Sequence, residues 1–542
     1  MALALTLTLS VAGYNGAKAA GVLSRPSAAN DTLVIVTAGT PNGIDLDRQA
    51  NSESWILAPQ VYAQGMEWQR GPDPYPSVAG INNNLVPGYT YPQFKQEKTA
   101  PGIIQSCTLS RDGKRAIYHL RHNVRAWNGD EFTSADVIYR VQRAIGNKAI
   151  GDFIANAANA GNISQWHIVD KYTVKITNST PMPLICVVNT NSYWHYYDSK
   201  VVKAHATPSD PWANTWLSTH DAGYGPYHIT SWKAGDEIDM VANTHYWQGA
   251  PSIKRVIYKI VPDASSRIAL LESGRAQIAE ALSPQNIISL KGKPGIHPVA
   301  VHGNESMLLE MNNATPPFNN VRVRQAVEYA TPRDTIVRDV YRGLAFPWEG
   351  VMPSVYPGYI NFNGHYAYDL AKAKRLLAAA GYKNGLTVPL IYSAADPVQE
   401  DLAITLRTSF QQIGLNVVFQ KLPLAAYADA VQSKKATFAL WIDFPIQPDP
   451  NYSMRLFYLT GNAVNYQNYH NPVVDRILQQ GVSIVDPAHR NQFNGRAEPI
   501  IENDATLGWV CEPAFTIALS SRVHGWGWYT TQYYRVYDLS LH

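Results

Sequence analysis

Cysteine is scarce in this chain: three residues among 542, at Cys107, Cys186 and Cys511. None forms a CxxC pair and none has a histidine at zinc-ligand spacing, so a structural zinc site is not expected. An odd count excludes a fully paired disulfide framework, although one Cys107–Cys186 bridge is open to the chain in an oxidising compartment. Charge is low as well. Asp, Glu, Lys and Arg make up 16% of the residues, and 45 basic against 42 acidic side chains leave a net +3. That is below the share usual in soluble chains. No block of five or so basic residues occurs, so nothing points to nucleic acid. No apolar run approaches the roughly 20 residues of a membrane span. Internal repeats are missing, which excludes solenoids and propellers. GxSxG, HExxH and the phosphate-binding GxxxxGK[ST] are also missing, and no pair of carboxylates is spaced so as to stand out as an acid/base couple.

What the chain does have is apolar and aromatic material: 46% hydrophobic residues, 14 Trp and 32 Tyr. At about 100 to 200 residues per domain, the length suits roughly three domains or lobes. Aromatics in such numbers fill cores or line binding clefts. Disorder is not expected, since disordered chains are charge-rich and aromatic-poor. Residues 2–13 (ALALTLTLSVAG) form an uncharged apolar run, and Ala17-Lys18-Ala19 supplies a small-x-small cleavage pattern. Residues 1–19 are therefore read as a secretory signal, placing the mature protein in the periplasm or on the outer face of the cytoplasmic membrane. Residues 11–14 (VAGY) resemble a lipoprotein cleavage box, but Tyr14 stands where the lipid-bearing cysteine would be. A phenol takes no thioether-linked lipid, which argues against lipidation.

Strand and helix signals alternate, giving an α/β expectation. Residues 31–37 (DTLVIVT) read as a strand ending in the loop 38–43 (AGTPNG). Residues 71–105, rich in Pro, Gly, Asn and Tyr, read as long loop. Residues 116–120 read as a strand, followed by a helix opened by Thr133 with Asp136 three residues on. Further along, Asp369 caps a helix over 370–380 that Gly381 closes. A strand at 388–392, a helix at 400–413 stopped by Gly414 and a strand at 415–420 make a βαβ unit.

Four blocks then carry a resemblance. The first is residues 118–137 (YHLRHNVRAWNGDEFTSADV). The second is residues 223–227 (GYGPY) with Tyr246-Trp247 and residues 269–274 (ALLESG). The third is residues 311–313 (MNN), 316–318 (PPF), 323–326 (VRQA) and Tyr329-Ala330. The fourth is residues 368–382 (YDLAKAKRLLAAAGY). In this order they resemble bacterial extracellular solute-binding proteins of family 5, the peptide and nickel receptors of ABC importers. The blocks themselves read as structural: Gly223 and Gly225 permit a tight turn, and Arg324 is a hydrogen-bonding hub.

The resemblance implies a periplasmic-binding-protein-like α/β fold with two ligand-binding lobes, a hinge and an accessory region. By the family's pattern, one lobe comprises 30–77, 206–300 and 505–542, the accessory region 78–205, and the second lobe 301–504. The implied function is capture of short peptides between the lobes, without catalysis or cofactor, and delivery by a monomer to an ABC permease. Two places are implied for ligand contacts. One is the loop before Ile44-Asp45, where Thr40, Pro41 and Asn42 are candidates; such a loop can present backbone groups to an extended chain. The other is residues 441–452 (WIDFPIQPDPNY), where peptide-binding members ion-pair the peptide's α-ammonium with an Asp shortly after a Trp. Asp443 is assigned that role because Trp441 and Phe444 keep its neighbourhood. The register that aligns Asp449-Pro450 instead puts Ile446 at the anchor, and it stays open. Trp441 is a candidate stacking wall and Phe153 a second. A non-peptide solute (an oligosaccharide, an aromatic compound or a metal chelate) is the alternative ligand, and a secreted hydrolase the remote alternative. His195, within the aromatic run 193–197, reads as a packed residue rather than a metal ligand.

Overall fold

The computed structural model describes residues 31–48, 52–75, 77–529 and 533–542. The signal-peptide segment 1–19, with Tyr14, lies outside the described residues. Three sheets organise the chain. The largest has seven strands in the order Tyr227–Lys233, Glu237–Ala242, Arg255–Ile260, Thr32–Thr37, Ile278–Ala279, Phe515–Ser520 and Ile296–Val301. The second has six: Ala345–Pro347, Leu507–Pro513, Ser306–Met311, Phe438–Asp443, Leu386–Ser393 and Leu415–Leu422. The third is an antiparallel layer of Trp166–Asp170, Thr173–Thr177, Arg115–Leu120 and Ile104–Leu109. The chain crosses between the two larger sheets at 302–305 and again at Ala514. Strand Leu507–Pro513, which the family's pattern assigns to the first lobe, pairs with Ser306–Met311 in the six-stranded sheet.

Local signals are realised where they are strongest. The apolar run after Asp31 becomes the central parallel strand Thr32–Thr37, flanked by Arg255–Ile260 and Ile278–Ala279. Its Leu33, Ile35 and Val36 are buried, as a strand with a neighbour on each side and packing above and below requires. Helix Ser134–Asn147 starts after Thr133, whose N–H and Oγ1–H both donate to Asp136 Oδ2, at 2.8 and 3.0 Å. Asp369 Oδ1 accepts from Lys372 N–H at 2.8 Å and caps Leu370–Ala379, and Gly381 follows with a φ of 97° that favours glycine. Strands Leu386–Ser393 and Leu415–Leu422 are parallel on either side of helix Pro397–Gln412, the expected βαβ unit. Arg324 donates to the carbonyls of Phe318, Asp504 and Ala505, the hub its helix position implies. The segment read as long loop holds short ladders, such as Ser77–Val78 with Ile81–Asn82. Pairs that short leave no readable alternation.

Gly223 and Gly225 act differently from the expectation. Neither has a positive φ. A Cβ on Gly223 would lie 2.0 Å from the Val61 carbonyl oxygen, and one on Gly225 2.3 Å from the Val61 carbonyl carbon. Close approach to the end of helix Ser52–Val61, rather than a turn, requires glycine there.

The first strand's outgoing loop is held by a dry ionic network. Arg140 and Arg143, three apart on one helix face, reach Asp47 together; Arg140 binds it through both carboxylate oxygens at 2.8 and 2.9 Å, Arg143 at 2.7 Å. Arg143 also pairs with Asp45, which accepts the Tyr197 hydroxyl at 2.7 Å. Burial alone would raise the Asp45 pKa, but the Arg143 charge and hydrogen bond carry it below the usual carboxylate range. A Cys107–Cys186 disulfide ties strand Ile104–Leu109 to the residue preceding the helical turn Val187–Thr190, with Cα atoms 5.6 Å apart, while Cys511 is buried and free. Among the described residues, no helix is long and apolar enough to cross a membrane.

Removing one member of a buried ion network leaves its partner's charge uncompensated. Asp47→Ala is expected to cost about 3–5 kcal/mol, read as a lower midpoint in urea unfolding; an unchanged midpoint would show that the network adds nothing.

Candidate functional site

Register decides which side chains meet. Strands Ser306–Met311 and Phe438–Asp443 are antiparallel, pairing Ser306 with Asp443, Leu308 with Trp441 and Glu310 with Ala439. Directly paired residues share a face, and alternate residues repeat it. One sheet face therefore carries Asp443, Trp441 and Ala439 beside Ser306, Leu308 and Glu310.

Asp443 ends its strand. Trp441 Nε1–H donates to its Oδ2 at 3.0 Å, and the Phe444 N–H donates to Oδ1 at 2.7 Å. Burial pushes the carboxyl up to about 6, against the pull of these two donors. Among the described residues, no basic side chain stands within ion-pair distance of it. Desolvated anions without a cation are costly, and the usual relief is a charged partner. Trp441 is flanked by Tyr427 and Tyr466, with ring centroids 5.2 and 5.7 Å away.

Residues from the other side close over this strand end. Trp55, on helix Ser52–Val61, meets Phe444 edge-on at 4.8 Å and Tyr193 at 6.5 Å. Asn191 Nδ2 donates to the Ile446 carbonyl at 3.2 Å, and Asn304 Nδ2 to the Pro445 carbonyl at 3.2 Å. Phe153, on helix Ile150–Ala157, stands 6.4 Å from the Tyr452 ring. Burial raises the Tyr193 and Tyr452 phenols, and the Asp443 charge adds to both shifts.

The loop candidates reach this assembly through a helix. Pro41 is buried, and Asn42 Oδ1 accepts from Ser54 Oγ at 2.8 Å. At Gly39 a Cβ would lie 2.2 Å from Glu53 Oε1, so the loop, Thr40 included, packs close to the helix that carries Trp55. Asp449 is occupied elsewhere: it caps helix Pro450–Tyr458 through the Tyr452 N–H at 2.9 Å and pairs with Arg490 at 2.7 Å. Ile446 offers its carbonyl to Asn191.

Other constellations carry less chemistry. His195 stacks on Tyr62 at 4.0 Å, and burial lowers it to about 4, as a packed neutral imidazole requires. Among the described residues, no group of three or more His, Cys, Asp or Glu is placed to hold a metal. Ser354, His302 and Glu512 lie together, but Ser354 Oγ and Glu512 Oε2 both address His302 Nε2, at 3.0 Å each, while Nδ1 has no partner. A Ser-His-acid triad needs them on opposite ring nitrogens. A cavity of about 450 Å³ opens beside Arg333, Trp348, His365 and Tyr366, away from Asp443.

Sequence reasoning missed Trp55, Tyr193 and Glu310. The first two come from distant segments and carry no motif. Glu310 did leave a signal: it is the one charged residue in the mostly apolar strand SMLLEM.

Comparison with known proteins agrees with this architecture. The family model described as "Bacterial extracellular solute-binding proteins, family 5 Middle" matches residues 98–465. Heme-binding protein A of Haemophilus influenzae is 24% identical, over 96% of this chain and 95% of its own length. The probable D,D-dipeptide-binding periplasmic protein DdpA of Escherichia coli is 26% identical, over 83% of this chain and 88% of its own. Among solved structures, the periplasmic binding protein DppA of Helicobacter pylori, in complex with the peptide STSA, superposes with a TM-score of 0.79 at 20% identity, covering 94% of this chain and 98% of that one. With the family model matching well over half of its length, the chain belongs to the bacterial extracellular solute-binding proteins of family 5.

Proposed function

We propose that this protein is the extracytoplasmic receptor of an ABC importer, that it captures short peptides between its two larger sheets, and that it hands them to a membrane permease without chemical change. The observation that carries the peptide reading is the Asp443 carboxylate: half-buried, held by two neutral donors and, among the described residues, without a cation at ion-pair distance. A peptide's α-ammonium is the complementary group, through charge-assisted hydrogen bonds. Trp441 and Phe153 would wall the ligand, and Thr40, Pro41 and Asn42 would border it. The Helicobacter pylori protein with its bound peptide and the D,D-dipeptide-binding relative support the same reading. Asp449 is committed to its helix cap and to Arg490, so of the two acids in the segment 441–452 Asp443 is the one left for a ligand amine.

Sheet membership supports a division with 306–513 as one lobe, the flanking segments as the other and the crossings at 302–305 and Ala514 as hinge. A ligand that touches both lobes favours the closed state, which a permease can recognise. The second reading keeps the receptor role for a non-peptide solute. Trp55, Tyr193, Phe153 and Tyr452 would serve an aromatic or sugar ligand, and the relative named for heme binding is in keeping with it.

Asp443→Ala is expected to weaken binding of free-amine peptides by about 2–5 kcal/mol in calorimetry, the range for removing one partner of a buried charge pair. A loss below roughly half a kcal/mol would place the anchor elsewhere.

Acid should weaken the same binding. The α-ammonium stays charged throughout, so the proton competes at Asp443, and affinity should fall as pH drops through about 6. One unit below that value the loss should be about tenfold, and it should vanish in Asp443→Ala. Ligand-free stability runs the opposite way for this group, since a raised carboxyl pKa contributes stability at low pH that is lost as pH rises through about 6.

A further inference from the structure

Asp443 has a second carboxylate on its sheet face. Glu310, on the adjacent strand, is 5% exposed, and its Oε2 has no hydrogen-bond partner. No Lys, Arg or His among the described residues is within ion-pair distance of it. Trp441 lies between the two acids on that face, because Asp443, Trp441 and Ala439 alternate along one strand and Ala439 pairs with Glu310. Tyr427 and Tyr466, which flank Trp441, each feel the charges of both carboxylates. Ala439 has only a methyl group to place opposite Glu310. Two further buried hydroxyls near this face, Ser306 Oγ and Tyr452 OH, also lack partners.

The polar groups around Glu310 are thus phenols and another acid, with Ala439 and Leu507 paired to it on the two neighbouring strands and Trp441 one position along the same face. A buried carboxylate in such company calls for a cation from outside the protein. The aromatic rings suit one as well, since Trp and Tyr faces attract ammonium and guanidinium groups. Four residues of strand separate the levels of Asp443 and Glu310, about 13 Å at roughly 3.3 Å per residue. A lysine's two ammonium groups, each with a charge-assisted hydrogen bond at its outer end, suit that scale.

We propose that Glu310 and Trp441 form a second subsite, which takes a positively charged side chain on the ligand's first residue while Asp443 takes its α-ammonium. The ligand class is then a short peptide that begins with a lysine-like or arginine-like residue. This inference rests on the reading of Asp443 as the amine anchor.

The test is calorimetry on the full-length protein with two matched peptide series of two to five residues, one beginning with lysine and one with norleucine, each continued by alanines. Norleucine keeps the carbon chain and removes the ammonium. The expected result is binding at least tenfold tighter for the lysine series. In Glu310→Gln that gap should shrink below threefold, through weaker lysine binding with the norleucine series unchanged. Norleucine peptides that bind as tightly as lysine peptides would overturn the subsite and leave the amine anchor standing. A lysine preference that persists in Glu310→Gln would overturn it too. If neither series binds, the peptide reading itself fails and the subsite with it. The comparison within the unsubstituted protein stands even if Glu310→Gln does not fold.

Discussion

Two arginines and two aspartates share one dry pocket, and the geometry of the ligand side depends on it. Asp45 and Asp47 lie in the segment that leaves the first strand, and Arg140 and Arg143 hold them from helix Ser134–Asn147. The network fixes the four-stranded layer to the seven-stranded sheet through fully desolvated charges. Neither partner tolerates separation, because each would leave a charge buried without compensation. The loop at residues 38–43 is therefore anchored just beyond its end, and Phe153 and Tyr193 come from elements on the same rigid side.

The second sheet is joined more lightly. Among the described residues, two short segments cross between the large sheets, at 302–305 and at Ala514. Side-chain ties gather beside them: His302 with Ser354 and Glu512, and Asn304 with Tyr356 and the Pro445 carbonyl. On the proposed division, crossings this short and this close together would act as the hinge, and the aromatic contacts of Trp55 on Phe444 and Phe153 on Tyr452 would lie where closure brings the two sides together.

Between these bodies the electrostatics are one-sided. Asp443 and Glu310 are acids that burial drives toward the neutral form, on a face where protein donors are an indole N–H, one backbone N–H and unpartnered hydroxyls. Such a face is poorly satisfied alone and complementary to a cation. Elsewhere, carboxylates such as Asp47 and Asp449 are paired with arginines.

Much of this was legible in the sequence. The four motif blocks identify the family, and caps such as Thr133 with Asp136, the stop at Gly381 and the βαβ unit after it are local signals that tertiary packing had no reason to override. Asp443 and Trp441 could be named as candidates because the family resemblance implies an Asp shortly after a Trp in this segment. Glycine at 223 and 225 was visible, but its cause was not: whether a glycine serves a turn or a close approach depends on what packs against it, here Val61. The same limit hid the site's other half. Trp55, Tyr193 and Glu310 are separated from Asp443 by more than a hundred residues each, and strand register and sheet packing, which no local pattern encodes, bring them together. Sequence determined the elements and the family. Tertiary structure alone decided which acids lie on one face without a cation, because burial and pairing are properties of neighbours in space.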